Sequence, residues 1–252
     1  MNALITGTTS GIGYELAKLF AKDGFDLILV SRNKVKLENQ KQELEQTYGI
    51  QVTTYALDLS QVNAARLLKN EIKEPIHALV NNAGFMEYGD FVESDPVKQR
   101  EMIQLQNLFL TVMTQYYLPD MVKYQYGYIL NVASMAAFVG LPKASVYGAV
   151  KAYILSFTKG IHSECKHRKV KISALCPGAT HTLFAKKSDA EDTNLFTGYV
   201  MDASQVAAIA YRGLQKNKVI IIPGLYNKVG HFLTKCMPYA LVDKVVTKIM
   251  RK

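Results

Sequence analysis

The sequence predicts an α/β fold, a doubly wound parallel sheet in a single domain. Three observations carry that expectation. Short apolar runs alternate with longer stretches of 3.6-residue periodicity along the 252 residues, the pattern of successive βαβ units. The apolar runs are near-continuous rather than alternating with polar residues, as in strands buried on both faces. A glycine-rich turn joins the first apolar run to the first helical stretch.

Each element follows in order. Residues 2–6 read as a strand and 11–22 as a helix with Ile12, Leu16, Leu19 and Phe20 on one face. Gly24 fits the helix stop. Residues 26–30 are a second strand, 33–47 an exposed charged helix, 51–57 a third strand, 61–71 a helix and 76–81 a fourth strand. A long helical stretch runs from Pro96, suited to a first turn, to Tyr124, with a kink or end expected at Pro119. Strand 127–133, helix 145–166 and strand 170–176 follow. Residues 178–200 read as a loop with small helical pieces, and helix 203–216 and strand 218–222 close the sheet. No linker, repeat or low-complexity segment divides residues 1–222, and residues 223–252 form a basic amphipathic extension packed on or beside them.

Hydrophobic residues make up 49% and charged residues 20%, which excludes long disorder, a collagen-like chain and a disulfide scaffold. The net charge of +9 is unevenly spread. Residues 216–252 hold eight Lys or Arg against the single acid Asp243, leaving 22 basic and 20 acidic side chains in the first 215 residues. The basicity therefore belongs to the C-terminal segment. Cys165, Cys176 and Cys236 match no zinc or redox spacing and read as free thiols in a reducing compartment. With an apolar strand starting at Ala3 and no 18-residue apolar run, neither a leader nor a membrane span is expected, and the expected location is cytoplasmic.

The first strand runs into Thr6-Gly7-Thr8-Thr9-Ser10-Gly11-Ile12-Gly13. Glycine allows a close backbone approach, and a helix N-terminus offers unpaired N–H groups to a pyrophosphate. The competing reading of the segment alone is a plain strand–helix turn, disfavoured because strand and helix both sit where the mechanism needs them. The end of strand two separates dinucleotides: an acid there suits NAD, an arginine nearby suits NADP. The residues are Ser31-Arg32-Asn33, with no acid. Arg32 can meet a 2′-phosphate in bidentate fashion, assisted by Ser31 and Asn33, so NADP(H) is the expected cofactor. The competing reading is a solvated arginine at a helix start.

Tyr147 and Lys151 stand four apart, one turn along one helical face. A nearby cation favours phenolate, which would bring a phenol of ordinary pKa about 10 toward acid–base use. For an isolated pair of this kind, helix packing is the default reading.

In combination, the motifs identify a resemblance. Thr6-Gly7-x-x-x-Gly11-x-Gly13, Asp58-Leu59, Asn81-Asn82-Ala83-Gly84, Asn107, Ser134, Tyr147-x-x-x-Lys151 and Pro177-Gly178 occur in the order and spacing of the short-chain dehydrogenase/reductases, and the extended tail after the seventh strand resembles their ketoacyl and steroid reductase branch. The resemblance implies a Rossmann fold with seven parallel strands in the order 3-2-1-4-5-6-7. It implies Tyr147 as general acid or base, Ser134 orienting a substrate carbonyl, Lys151 lowering the tyrosine pKa and holding the nicotinamide ribose, and Asn107 at a helix break supporting a proton relay. Gly7, Thr9, Ser10, Gly11, Ile12 and Gly13 would line the pyrophosphate. Asp58 and Leu59 would flank the adenine, and Asn82, Ala83 and Gly84 the adenosine ribose. Pro177, Gly178, Thr180 and Thr182 would meet the nicotinamide. The implied activity is hydride transfer between NADP(H) and a ketone, aldehyde or secondary alcohol, in a homodimer or homotetramer, without a metal. One competing reading, a non-catalytic NADP-binding regulator, is disfavoured by the complete catalytic set; another, a membrane-peripheral protein, stays open and is separated from a packed tail by liposome flotation with and without residues 223–252.

Met135, Phe138, Val139 and Leu141 read as an apolar substrate wall or ordinary core, and His181 as a candidate substrate contact. In the extension, Leu225, Val229, Phe232, Leu233 and Cys236 share one helical face, and Val242, Val245, Val246, Ile249 and Met250 another, with lysines between. Such helices cover a pocket, join subunits, touch an anionic membrane surface or attract an acidic carrier. No interleaved aromatic–basic platform points to nucleic acid.

Overall fold

The computed structural model describes residues 1–252. The chain begins β1 (Asn2–Thr6), α1 (Gly11–Lys22), β2 (Asp26–Ser31), α2 (Lys34–Tyr48), β3 (Val52–Ala56), α3 (Ala64–Glu71) and β4 (Ala78–Asn81). It continues with α4 (Pro96–Ile103), a π-helical segment Gln104–Phe109, α5 (Leu110–Lys123), β5 (Gly127–Val132), a 3₁₀ turn Met135–Phe138, α6 (Ser145–Glu164) and β6 (Val170–Leu175). Then come β7 (Thr180–His181), α7 (Phe184–Lys187), α8 (Asn194–Thr197), β8 (Met201–Asp202), α9 (Ala203–Gln215), β9 (Ile220–Ile221), α10 (Leu225–Cys236) and α11 (Tyr239–Ile249).

The main sheet has seven strands in the order β3-β2-β1-β4-β5-β6-β9, all paired in parallel. This is the expected order, with β9 as the seventh strand because β7 and β8 form a separate parallel pair, Thr180 with Met201 and His181 with Asp202. Two-residue strands carry no periodicity to read, and their pairing joins segments twenty residues apart.

The double-sided burial follows from the pleat. Ala3 and Ile5 of β1, with Leu27 and Leu29 of β2, pack with Leu16 and Phe20 of α1 and Ala207 and Leu214 of α9. The intervening Leu4, Ile28 and Val30 face Met113 and Tyr117 of α5 and Ile161 of α6. A third core lies near the carboxyl ends of β5 and β6, where Ala133, Tyr147, Val150, Ala174 and Cys176 meet Val246 and Met250 of α11.

Local sequence sets the element ends. Asn33 caps α2 by accepting from Lys36 N–H at 2.9 Å, and Asp95 caps α4, accepting from Val97 N–H at 2.8 Å ahead of Pro96. Gly49 closes α2 in the left-handed region at φ 66°. The expected break at Pro119 is absent: α5 runs through it to Lys123. The irregularity lies earlier, in the π-helical turn around Asn107. Pro119 is exposed, so its missing N–H and its ring fall on a face where no packing enforces a bend.

Candidate active site

In this sheet the order reverses between β1 and β4, whose carboxyl ends therefore border a crevice. Side-chain hydrogen bonds fix the two turns that leave these strands. Thr6 Oγ1 accepts from the N–H groups of Asn82 and Ala83, each at 3.0 Å. Asn82 Nδ2 donates to the carbonyls of Thr6 and Gly7, each at 2.9 Å. Gly7, at φ +70°, approaches so closely that a Cβ there would stand 2.8 Å from Ala83 Cα. Gly11, at φ +64°, lies under the Thr182 methyl, 2.6 Å from where a Cβ would be. Neither position accommodates a side chain.

A continuous cleft of about 1170 Å³ starts at this turn and reaches the C-terminal helices. Gly7, Thr9, Ser10, Gly11 and Ile12 line one end with Ser31, Arg32, Asp58 and Leu59. Asn82, Ala83 and Gly84 follow, and Ser134, Tyr147, Lys151, Pro177, Gly178, Thr180 and Thr182 line the centre. The structure thus brings together most of the residues expected from sequence. Three sit elsewhere. Asn33 caps α2 through its Oδ1. Gly13 lies behind the turn, where a Cβ would collide with Asn82 and the Gly7 carbonyl. Asn107 stands behind the wall in the π turn, with a buried Oδ1 that has no partner. The fourth outlier, His181, is exposed in β7 and does not line the cleft.

At the Arg32 end, the hydroxyls of Thr9 and Ser31 are 3.2 Å apart. Partial burial raises the Asp58 pKa, but the Ser60 N–H at 3.0 Å, the Ser60 hydroxyl at 2.8 Å and the Arg32 charge outweigh it and hold the carboxyl below its ordinary value. Arg32 itself is exposed and makes no ion pair. Its guanidinium therefore faces the cleft with its donors uncommitted to any carboxylate.

At the centre, Ser134 caps the 3₁₀ turn, its Oγ accepting from Ala136 N–H at 3.1 Å. Lys151 Nζ donates to the Val132 carbonyl at 2.8 Å and stands 5.4 Å from the centre of the Tyr147 ring. The expected lowering of the tyrosine pKa by Lys151 is not what this arrangement gives. Burial pushes the Tyr147 phenol up to about 12, opposed by hydrogen bonding toward Ser134. Burial also drives Lys151 down to about 7. The physical reason is shared desolvation: both groups lie in the same buried centre, which favours the neutral form of each and weakens the lysine charge that would favour phenolate.

Several residues outside the motifs support or line the wall. Gln106 packs against Gly84, where a Cβ would stand 2.5 Å from its Oε1, and donates to the Phe85 carbonyl at 2.9 Å. Asn227 of α10 sits on Gly178. Met135, Phe138, Val139 and Leu141 line the cleft, and Phe138 stacks on His231 at 3.9 Å between ring centres. Val242, Val245, Val246, Ile249 and Met250 line it from α11.

The donor set fits a dinucleotide. The glycine turn forms a cradle that a Cβ would fill, a helix N-terminus points at it, and an unpaired arginine stands at one end of the cleft.

Comparison with known proteins agrees. Residues 1–193 match the family model for short chain dehydrogenases. The very-long-chain 3-oxoacyl-CoA reductase of Homo sapiens is 31% identical over 189 residues, covering 73% of this chain and 61% of the relative. The alignment thus spans under two thirds of that relative's length. The solved short-chain dehydrogenase from Sphingobium yanoikuyae in complex with NADPH superposes with a TM-score of 0.83 at 28% identity, covering 95% of this chain and 97% of that one. A 7beta-hydroxysteroid dehydrogenase structure, at 22% identity, shares the fold with a TM-score of 0.89 over 98% of this chain and 96% of its own. The chain belongs to the short-chain dehydrogenase/reductase family.

Proposed function

We propose that this protein is an NADP(H)-dependent oxidoreductase that interconverts an apolar ketone or aldehyde with the corresponding alcohol, with Tyr147 moving the proton. The observation that carries the reading is the meeting of the Tyr147 and Ser134 hydroxyls with Lys151 in a cleft whose other end holds the unpaired Arg32. NADP(H), when bound, supplies or accepts the hydride.

The chain's own groups supply position and protons. With its pKa near 12, Tyr147 keeps its proton at neutral pH and acts as the acid in the reductive direction. Ser134 Oγ already accepts from Ala136 N–H, so its proton is free to point at a carbonyl oxygen. Two hydroxyls thus meet negative charge where it develops. Lys151 is held in place by the Val132 carbonyl with further N–H groups to offer a ribose. The unpartnered Asn107 Oδ1 supplies an acceptor for a proton relay. Arg32, with Ser31 and Thr9 beside it, recognises a 2′-phosphate.

Apolar side chains from Phe138 to Leu141 and from α11 line the substrate side, in keeping with an acyl-chain or steroid-like carbonyl compound. The test is a panel of carbonyl compounds followed by NADPH absorbance. Tyr147→Phe should keep NADPH affinity and lose turnover by about two to four orders of magnitude. Full activity in that variant would overturn the assignment.

A further inference from the structure

The outer surface of the two C-terminal helices is the least accounted-for part of the molecule. Helix α10 has no buried residue along its twelve positions. Leu225 is 76% exposed, Tyr226 66% and Phe232 64%. Tyr239, Leu241 and Val245 of α11 are likewise exposed. Yet this is fixed structure. The α11 end is tied down by Tyr88 OH donating to the Met250 carbonyl at 2.5 Å, by Asn194 Nδ2 donating to the Lys248 carbonyl at 3.0 Å, and by Asn194 N–H donating to the Arg251 carbonyl at 2.9 Å.

The same surface borders the cleft mouth. Leu183, Tyr199, Tyr226, Val229, Leu233 and Val245 both line the cleft and stand exposed. They form an apolar collar, within which Tyr199 and Tyr226 pack at 5.7 Å between ring centres. Cations surround it: Lys228, Lys235, Lys244 and Lys248 on the helices and Lys186 and Lys187 on α7, all exposed. None is in an ion pair. The local acids are Asp243 and the loop residues Asp189, Glu191 and Asp192, fewer than the cations.

We propose that this face of α10 and α11 docks onto an anionic lipid bilayer, with the cleft mouth turned toward the membrane so that an apolar substrate enters from the lipid. Two short helices carrying exposed aliphatic and tyrosine side chains between uncompensated lysines have the composition of an interfacial surface. Tyrosine suits that boundary because its ring is apolar and its hydroxyl polar. A second copy is disfavoured, since the same face would bring its excess positive charge against itself. An acidic protein seated on the collar would cover the exposed mouth beside the apolar wall, whereas a bilayer supplies an apolar substrate there. The docking rests on the surface alone. The entry route rests also on the redox reading above.

The experiment is flotation of the full chain with vesicles of phosphatidylcholine alone and of phosphatidylcholine with phosphatidylserine. The chain should float with the phosphatidylserine vesicles, bind plain phosphatidylcholine at least about tenfold more weakly, and release in high salt. Leu225→Ser/Phe232→Ser and, separately, Lys228→Glu/Lys235→Glu/Lys244→Glu should each weaken binding about tenfold or more. None of these five residues lines the cleft, so turnover of a small soluble ketone should be unchanged. A long-chain ketone carried in the vesicles should be reduced more slowly by both variants than by the wild type.

Failure of the wild type to float, or variants that float as it does, overturns the docking while leaving ketone turnover to judge the redox reading. Flotation with no turnover of any carbonyl compound overturns the redox reading and leaves the docking intact. A salt-stable dimer in sedimentation that Leu225→Ser/Phe232→Ser dissociates, without vesicle binding, assigns the face to a second copy and overturns the proposal. Equal rates on the vesicle-borne ketone overturn the entry route.

Discussion

Lys151 and Tyr147 are both buried, and burial moves each toward its neutral form. For the lysine this links catalysis to stability. Its folded pKa of about 7 lies below the ordinary 10.5, so between these values the unfolded chain binds a proton that the folded chain does not. Stability therefore rises with pH across that window, and the cost of burial is complete below it. Cys176, pushed from 9.0 up to about 12 by burial, begins to oppose the trend above pH 9.0. Urea unfolding of the wild type should show a gain of about 2 kcal/mol between pH 7 and pH 9, and Lys151→Met should abolish the slope. An unchanged slope in the variant would place the titration elsewhere. At the other end of the cleft, Arg32→Ala should weaken NADPH binding by about tenfold or more while leaving NADH affinity nearly unchanged. Equal losses for both nucleotides would contradict a 2′-phosphate contact. Asn33 commits its Oδ1 to the cap that starts α2, which leaves its Nδ2 as the group that can assist Arg32.

Among the elements, the helical run from Pro96 to Lys123 departs most from its sequence. Proline is the only strong breaker in that run, yet the wide turn falls at Gln104–Phe109. That π turn places Gln106 against Gly84 and Asn107 behind the cleft, as π turns often do at functional sites. Its sequence, Gln-Leu-Gln-Asn-Leu-Phe, has no breaker, so periodicity does not show it, whereas the family resemblance, which puts a helix break at Asn107, does. Pro119 is exposed inside regular helix and removes one intrahelical hydrogen bond. Pro119→Ala should raise the unfolding free energy by about 1–3 kcal/mol, read as a higher denaturation midpoint. A lower midpoint would show that the ring stabilises the run by packing or by stiffening the unfolded chain.

Over the whole molecule, the third core couples the C-terminal helices to the catalytic helix. Met250 is 1% exposed and shares that core with Tyr147, Val150 and Cys176. Met250→Ala should cost about 2–5 kcal/mol of stability. Because α11 lines the apolar side of the cleft, the variant should also raise KM for a large apolar ketone and spare NADPH affinity. Loss of NADPH binding at unchanged KM would mean that the extension supports the cofactor end instead. No helix is long and apolar enough to cross a membrane.

The sequence by itself determined the alternation of strands and helices, the glycine turn and the places of Ser134, Tyr147 and Lys151 along the chain, while the strand order came with the family resemblance that those motifs carry. Alternation is written in local periodicity, which right-handed βαβ winding converts into a parallel sheet. Tertiary structure decided the rest. Whether Lys151 lowers or fails to lower the tyrosine pKa depends on how deeply both are buried. The apolar collar draws on residues 183–245, which share no motif and meet only once the chain has folded. Burial and convergence are sums over distant segments, and no window of sequence contains them.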